Sequence, residues 1–217
     1  MALHRHVISL VLVLLVLVAG CSRTVTSYVS YGSNLTVEVN LRANLDVSKY
    51  RYFMVFSTQE AISFPILPPE GTTLDEFLEP GDAPRVGDNT SYFANYYSTW
   101  TSYIVLEDGG YFLAKGPFVA TNTVTREPLA PLSSISNRLS FNVSLSRLFG
   151  PSIPDTIYFD IIAVEYPTND LKYMRDHAGP PIRRLSKISG SILSGTNPTL
   201  PTIDGALNLT TWWVRVD

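Results

Sequence analysis

The sequence has one cysteine, Cys21, and three histidines, His4, His6 and His177. A lone thiol excludes an intramolecular disulfide framework. Zinc sites usually take cysteine and histidine ligands, so this composition argues against a structural or catalytic zinc site. The nucleophile motif G-x-S-x-G is absent, and the similar stretch GSILSG at residues 190–195 has the wrong spacing. The sequence therefore predicts neither an enzyme nor a cofactor.

Charged residues are also scarce, at 16% of the chain, and acidic residues outnumber basic ones by 19 to 16. Proteins that bind nucleic acid neutralise its phosphates with clusters of lysine and arginine. A chain with a net charge of −3 lacks that excess. We therefore expect no nucleic-acid partner.

The first twenty residues have the layout of a secretory signal. A basic start around Arg5 precedes an apolar run over residues 7–18, which ends in the small residues Ala19 and Gly20. As a helix, this run would be about 18 Å long, whereas the hydrocarbon core of a bilayer is about 30 Å thick. The segment is therefore predicted to be removed rather than to span a membrane.

The cysteine directly follows this segment. Val18-Ala19-Gly20-Cys21 resembles the lipobox of bacterial lipoproteins. The resemblance implies that Cys21 carries diacylglycerol and becomes the first residue of the mature protein, lipid-anchored to the extracytoplasmic side of a bacterial membrane. In Gram-negative bacteria, Ser22 at the next position implies export to the outer membrane. The predicted organisation is a signal at 1–20, a lipidated cysteine and tether at 21–33, and one domain at 34–217.

Alternating and continuous apolar patterns predict β-strands in that domain. Apolar residues fill every second position from 35 to 41 and from 139 to 145, as in strands with one wet face. Residues 51–58 and 157–166 are continuous apolar and aromatic runs, which favours central strands covered on both sides.

Two further segments add a hairpin and a final strand. Residues 102–106 and 111–115 flank the sequence EDGG, whose Asp108-Gly109 or Gly109-Gly110 pair supplies the positive φ angles of a tight turn. In residues 206–216, one parity carries Leu207, Leu209, Thr211 and Trp213.

Helical signals are few. Residues 73–78 fit a capping box, and the aromatic residues at 92–103 have helical spacing although tyrosine and tryptophan favour strands. The fold class predicted is all-β: a mostly antiparallel β-sandwich with long irregular loops and at most one or two short helices.

Three strand segments also carry a resemblance. NLDVSKYRYFMVFST, NRLSFNVSLSRL and IYFDIIAV resemble the strand pattern of bacterial lipoprotein domains related to DOMON and to family 9 carbohydrate-binding sandwiches. In those groups an Asp-rich turn often follows the strand equivalent to residues 52–58. Here the turn reads Gln59-Glu60-Ala61, so the resemblance does not extend to an ion site.

The charged candidates lie in two irregular regions. Asp82 and Asp88, within the acidic stretch 70–88, are candidate calcium ligands, but a solvated acidic loop is the alternative. Basic residues gather between 172 and 187, where they could face lipid headgroups, the acidic stretch or solvent. His177 lies among turn-forming residues, which favours a surface loop over a catalytic base.

Aromatic residues are the strongest binding signal. Tyr96, Trp100 and Tyr103, together with the Trp212-Trp213 pair, could form a platform on which sugar rings stack. The alternative is that these rings fill the core.

The sequence thus predicts a lipid-anchored, non-catalytic module that binds carbohydrate or another small ligand. A structural or assembly lipoprotein that binds a protein partner is the alternative and would expose an apolar patch or a strand edge. A hydrolase would instead need two close carboxylates in a cleft, and nothing in the strand pattern marks Asp160 or Glu165 for that role.

Overall fold

The computed structural model describes residues 29–62, 76–82, 97–119, 122–168, 170–179 and 183–217. The β-strands of this part of the chain pair antiparallel and form two sheets. The predicted all-β sandwich is therefore confirmed. The signal segment and Cys21 lie outside the described residues.

The smaller sheet has four strands. They are β1 (Asn34–Leu41), β6 (Arg138–Ser144), β10 (Ile192–Thr196) and β11 (Leu209–Val216), in the order β10-β11-β1-β6. Leu35, Val37 and Val39 are fully buried on the inner side of β1. This alternation confirms the predicted strand with one wet face.

The larger sheet has seven strands: β2 (Tyr50–Ser57), β3 (Ser102–Glu107), β4 (Gly110–Lys115), β5 (Arg126–Ala130), β7 (Thr156–Glu165), β8 (Tyr173–His177) and β9 (Arg184–Ser186). The order is β5-β4-β3-β2-β7-β8, and β9 pairs with the first residues of β7. As the apolar runs predict, β2 and β7 are central strands.

One hydrophobic core lies between the sheets. Leu35 and Val37 of β1 belong to it together with Met54 and Phe56 of β2, and so does Trp212 of β11, whose ring meets Phe159 edge-on at 5.8 Å between centroids. Burial of both inner faces is the main force that holds an antiparallel sandwich together.

A second hydrophobic cluster covers the outer face of the larger sheet. Phe53, Val55 and Tyr103 contribute the sheet side, and Phe77 and Phe118 come from the segments that cross it. The continuous apolar runs of β2 and β7 follow from this arrangement, because both faces of those strands are covered.

The predicted hairpin connects β3 and β4. Glu107 pairs with Gly110 across a two-residue turn, and Gly109 and Gly110 have φ angles of +96° and +129°. A side chain at Gly110 would place its Cβ 2.4 Å from the carbonyl oxygen of Ala130. Glycine is therefore required here both by conformation and by the close approach of the next strand.

A β-bulge on β11 corrects the predicted parity of the last strand. Leu41 pairs with Leu209 and Asn40 with Thr211, so Thr210 is an extra residue. One inserted residue moves every later side chain to the opposite face. Leu209 and Trp212 therefore point inward, and Trp213 points outward.

Regular structure also replaces parts of the predicted irregular regions. The expected loop at 172–187 contains β8 and β9, which puts His177 at the end of a strand. A short helix, α1 (Leu145–Phe149), starts at the N-cap Ser144, whose side chain accepts from the backbone N–H of Arg147. Strand β6 therefore ends one residue before the predicted limit.

The two helical expectations fall partly outside the described residues. Of the capping-box segment 73–78, the described residues from 76 onward are irregular, and of the aromatic segment 92–103, the residues Tyr97–Thr99 form a single 3₁₀ turn. No helix among the described ranges is long and apolar enough to cross a bilayer.

Two residues that the sequence assigns to the tether, Tyr31 and Gly32, contact the domain. Tyr31 forms a β-bridge with Ile188, and the backbone N–H of Gly32 donates to the carbonyl of Lys187 at 2.9 Å. These contacts attach the chain to the turn before β10, at the end of the smaller sheet where β1 starts.

Candidate functional site

The predicted aromatic platform is not exposed at Trp100 and Tyr103. Trp100 is 3% exposed and Tyr103 is 0% exposed, and both belong to the second hydrophobic cluster. Tyr96 lies outside the described residues. An exposed stacking surface at Trp100 and Tyr103 is therefore wrong.

The reason lies in the covered outer face of the larger sheet. Tyr103 projects from β3 into that face, where its ring lies 5.8 Å from Trp100 and 5.4 Å from Phe118. Its hydroxyl donates to Glu79 at 2.7 Å. Two aromatic rings that pack edge to face, with the polar atom satisfied, form a stable core arrangement.

The acidic stretch is also not a solvated loop where the structure describes it. Glu76 and Glu79 are 5% and 1% exposed. Glu79 accepts from Arg126 Nη2 at 2.5 Å. Burial raises the pKa of Glu79 to about 7, which the neighbouring Arg126 charge and the Tyr103 hydrogen bond oppose. The segment 76–82 is thus fixed to the sheet by a buried carboxylate.

Asp82 forms an ion pair with a lysine side chain, Lys172. Lys172 Nζ lies 2.6 Å from its Oδ2, and Tyr166 donates to the same oxygen at 3.4 Å. This ion pair confirms that a basic residue of the 172–187 region faces the acidic stretch. Asp88 lies outside the described residues, and the described part of the chain has no group of three or more acidic, histidine or cysteine residues that could hold a metal ion.

A cleft of about 350 Å³ lies beside this cluster, lined by Pro80, Gly81, Asp82, Thr123, Val124 and Arg126. Arg126 Nη1 also lies 3.1 Å from Glu107 Oε1, in addition to its contact with Glu79. The positive charge that the cleft offers is therefore already neutralised, and Asp82 is likewise paired. The cluster attaches the crossing segment to the sheet rather than presenting charges to a ligand.

Two more buried carboxylates lie on strands β7 and β8, and the second of them contacts the smaller sheet. Asp160 on β7 forms an ion pair with Arg183, and its Oδ2 lies 3.8 Å from His177 Nδ1. Asp176 on β8 accepts from the backbone N–H of Leu209 at 2.9 Å and from the Asn208 side chain at 3.1 Å. Each carboxylate is held by protein donors, as buried polar groups usually are.

The outer face of the smaller sheet is different, because its polar side chains meet solvent. The outward side chains of β6 and β10 are exposed, and neither hydrophobic cluster includes a residue of this face. From the spacing of residues and strands, the face measures about 14 Å by about 14 Å. From here on, "the outer face" means this face of the smaller sheet.

Its side chains form three rungs across the four strands. The rungs are Ile192, Arg215, Thr36, Asn142; then Ser194, Trp213, Glu38, Ser140; then Thr196, Thr211, Asn40, Arg138.

Hydroxyl and amide groups dominate the outer face and are held by each other. Asn142 Nδ2 donates to Thr36 Oγ1 at 2.8 Å, and Asn40 Nδ2 donates to Thr211 Oγ1 at 3.0 Å. Each amide still has a second N–H and a carbonyl oxygen for other partners. The donors and acceptors are therefore oriented before any ligand arrives.

Trp213 occupies the middle rung. Its ring is partly exposed, between Ser194 and Glu38, and the guanidinium of Arg215 lies 5.6 Å from the ring centroid. Arg215 is fixed in turn by Asp217 at 2.5 Å. The sequence identified the Trp212-Trp213 pair as aromatic candidates, but only the bulge at Thr210 decides that Trp213 is the exposed one.

Comparison with protein-family models, curated proteins and solved structures finds no match to this chain. The resemblances to the lipobox proteins and to the DOMON-related sandwiches therefore stay predictions from the sequence.

Proposed function

We propose that this chain is a lipid-anchored, extracytoplasmic lipoprotein that binds carbohydrate without catalysis, and that the outer face of the smaller sheet is its binding surface. The observation that carries the proposal is the partly exposed ring of Trp213 within three rungs of hydroxyl and amide side chains.

The polar groups suit a sugar ligand. Sugars present hydroxyl groups that both donate and accept, and serine, threonine and asparagine side chains do the same. Of the twelve rung positions, the charged ones are Glu38, Arg138 and Arg215. An uncharged ligand rich in hydroxyl groups fits this balance better than a highly charged one.

The aromatic ring supplies the apolar contact. An indole offers a flat apolar face on which the C–H groups of a sugar ring can pack. Trp213 is held in the sheet by its pairing with Glu38 and Ser194. A rigid ring loses little conformational entropy when a ligand binds.

The anchor supports a location at the cell envelope. In the proposed mature protein, acyl chains on Cys21 hold the domain at the extracytoplasmic surface, where polysaccharides are available. Stable anchoring takes two or more acyl chains. Both the diacylglycerol group and an acylated amino terminus, as the lipobox resemblance implies, would meet that requirement.

The test is glycan-array binding by the full lipoprotein in a polyoxyethylene detergent, because a glucoside detergent would compete. Trp213→Ala is expected to weaken binding at least about tenfold. Tyr173→Ala is the matched control, since Tyr173 is a partly exposed aromatic residue of the other sheet that also has an arginine, Arg175, beside its ring. Equal binding by Trp213→Ala and the original protein would reject the outer face as the site.

A second candidate is binding of a protein partner by strand addition. Strands β6 and β10 end the smaller sheet on either side, and an edge strand presents backbone groups that another chain can pair with. Captured protein in place of glycan, lost when proline replaces Ser194 in β10 but kept in Trp213→Ala, would favour this candidate.

A further inference from the structure

We propose that the end of the smaller sheet where the chain enters it rests on the bilayer that carries the Cys21 anchor. The contact surface consists of Val29, Tyr31, Ile188 and Ile192, which we call the apolar end patch. This inference rests on the lipid anchoring proposed above and adds how the domain is held against the membrane.

Exposure singles out these residues. Five large hydrophobic residues are exposed in the described part of the chain, and four of them form the patch, at 55%, 63%, 41% and 59%. The fifth, Ile135, is 68% exposed and precedes β6, close to where β1 ends. Exposed apolar side chains gathered at one end of a domain are typical of an interaction surface.

The backbone brings the patch together. Tyr31 and Ile188 are bridge partners, and the N–H of Ser189 donates to the carbonyl of Ser30 at 2.9 Å. The N–H of Ser191 donates to the carbonyl of Ile188 at 3.0 Å, which closes a turn just before Ile192. The turn and the incoming chain therefore form one hydrogen-bonded unit.

The chemistry of the patch suits the interfacial region of a bilayer. Tyrosine and lysine are both favoured there, because each has an apolar body and a polar tip. Lys187 Nζ lies 4.7 Å from the Tyr31 ring centroid and 2.7 Å from Asp155. Arg215, on the rung that contains Ile192, is paired with Asp217.

These ion pairs predict which lipids matter. Both cations are already matched by carboxylates, so attraction to anionic headgroups contributes little. Contact should therefore depend on the apolar side chains and occur on zwitterionic as well as anionic bilayers.

The length of the chain before the domain places the patch near the membrane. The span from Cys21 to Val29 is eight residues, which reach at most about 28 Å. The patch is thus held at a high effective concentration next to the bilayer, so that a few apolar contacts suffice. Ile135 lies about 25 Å farther away, because β1 runs from the patch toward it.

The experiment uses the full lipoprotein reconstituted in phosphatidylcholine vesicles that contain a lipid with a nitroxide headgroup. Cys21 is the chain's one cysteine and is acylated in the proposal, so a second cysteine can be labelled alone. Ser189→Cys places a fluorophore in the patch turn. Ser134→Cys places it beside Ile135 and is the matched control, since both serines are exposed.

We expect quenching of the Ser189 label to exceed that of the Ser134 label at least threefold, with little change when anionic lipid or 0.5 M salt is added. Ile188→Ser with Ile192→Ser should lower Ser189 quenching to the control level, whereas Ile135→Ser should leave it unchanged. All these side chains are exposed, so the thermal midpoint should stay constant and show that the variants fold.

Two other outcomes overturn the proposal and differ from each other. If the chain floats with the vesicles but both labels are quenched equally, the anchor stands and the patch does not contact the bilayer. If Cys21 itself reacts with a maleimide and the chain stays off the vesicles, the anchor is absent, and the patch contact that rests on it fails as well.

Discussion

Trp212 and Trp213 are neighbours in sequence and lie on opposite faces of the smaller sheet. Trp212 is 1% exposed in the core between the sheets, and Trp213 is partly exposed on the outer face. The same side chain therefore serves packing at one position and is available for binding at the next.

Exchange of each tryptophan for alanine should separate these roles. Trp212→Ala is expected to lower the free energy of unfolding by about 3–5 kcal/mol, because it empties a buried site beside Phe159. Trp213→Ala is expected to cost about 1 kcal/mol or less. Urea unfolding measures both, and equal losses would contradict the register of β11.

The buried carboxylate of Glu79 predicts a pH dependence of stability. Its pKa is raised from 4.5 to about 7 in the folded protein, first by burial. Between these values the folded state holds a proton that the unfolded state has lost. The free energy of unfolding should therefore fall by up to about 3 kcal/mol as the pH rises from 4.5 to 7.

Glu79→Gln should reduce that decrease, as measured by urea unfolding at a series of pH values. Some slope should remain, because burial also raises the pKa of Asp176. The control is Glu127→Gln. Arg147 and Lys115 lower the pKa of that carboxyl, so it titrates below the range from pH 4.5 to 7. A free energy of unfolding that rises between pH 4.5 and 7 would mean that Arg126 keeps Glu79 ionised over the whole range.

The pair of Asp160 and Arg183 predicts a large loss from one substitution. The side chain of Asp160 is 1% exposed, so Arg183→Ala would leave a buried charge without its arginine. We expect a loss of about 3–5 kcal/mol in the free energy of unfolding. Arg175→Ala, which breaks a partly exposed pair with Glu165, should cost less than about 1 kcal/mol. Similar losses for the two variants would contradict the burial of Asp160.

The proposed anchor predicts the behaviour of Cys21→Ser. Serine has no thiol to form the thioether bond, so the variant should leave the membrane fraction after detergent-free washing. Fractionation and immunoblotting of cells that express either form measure this. A variant that stays with the membranes would show that something other than Cys21 holds it there.

Periodicity alone predicted the strands whose environment is simple. Leu35, Val37 and Val39 face one core, and the alternation at their positions is complete. Strand β2 is covered on both sides, as its continuous apolar run predicted. The hairpin followed from Gly109 and Gly110, because few other residues adopt their φ angles.

Strand β8 escaped prediction because its buried positions are Met174 and Asp176. A buried aspartate breaks the apolar alternation that identifies a strand, and its partners Asn208 and Leu209 are distant in sequence. The burial of Glu79 depends in the same way on Arg126, more than forty residues away. From the sequence alone such acidic residues are expected to be exposed to solvent, because the partners that allow their burial become neighbours only in the folded protein.

In the candidate site, too, some features had a local sequence signal and others depended on the rest of the fold. The sequence named the aromatic residues, but exposure of Trp213 and burial of Trp100 depend on a bulge and on a covering segment. Neither leaves a local signal that separates one ring from the other.

Thr210 is the bulge residue that decides which face each later side chain of β11 occupies. Its hydroxyl donates to the carbonyl of Asn40 at 3.0 Å and helps to hold the extra residue in place. If the bulge were lost and all residues were kept, the side chains would alternate without a break after Leu209, so Trp213 would take the interior position and Trp212 the wet one. The character of a whole surface thus depends on how the backbone accommodates one extra residue.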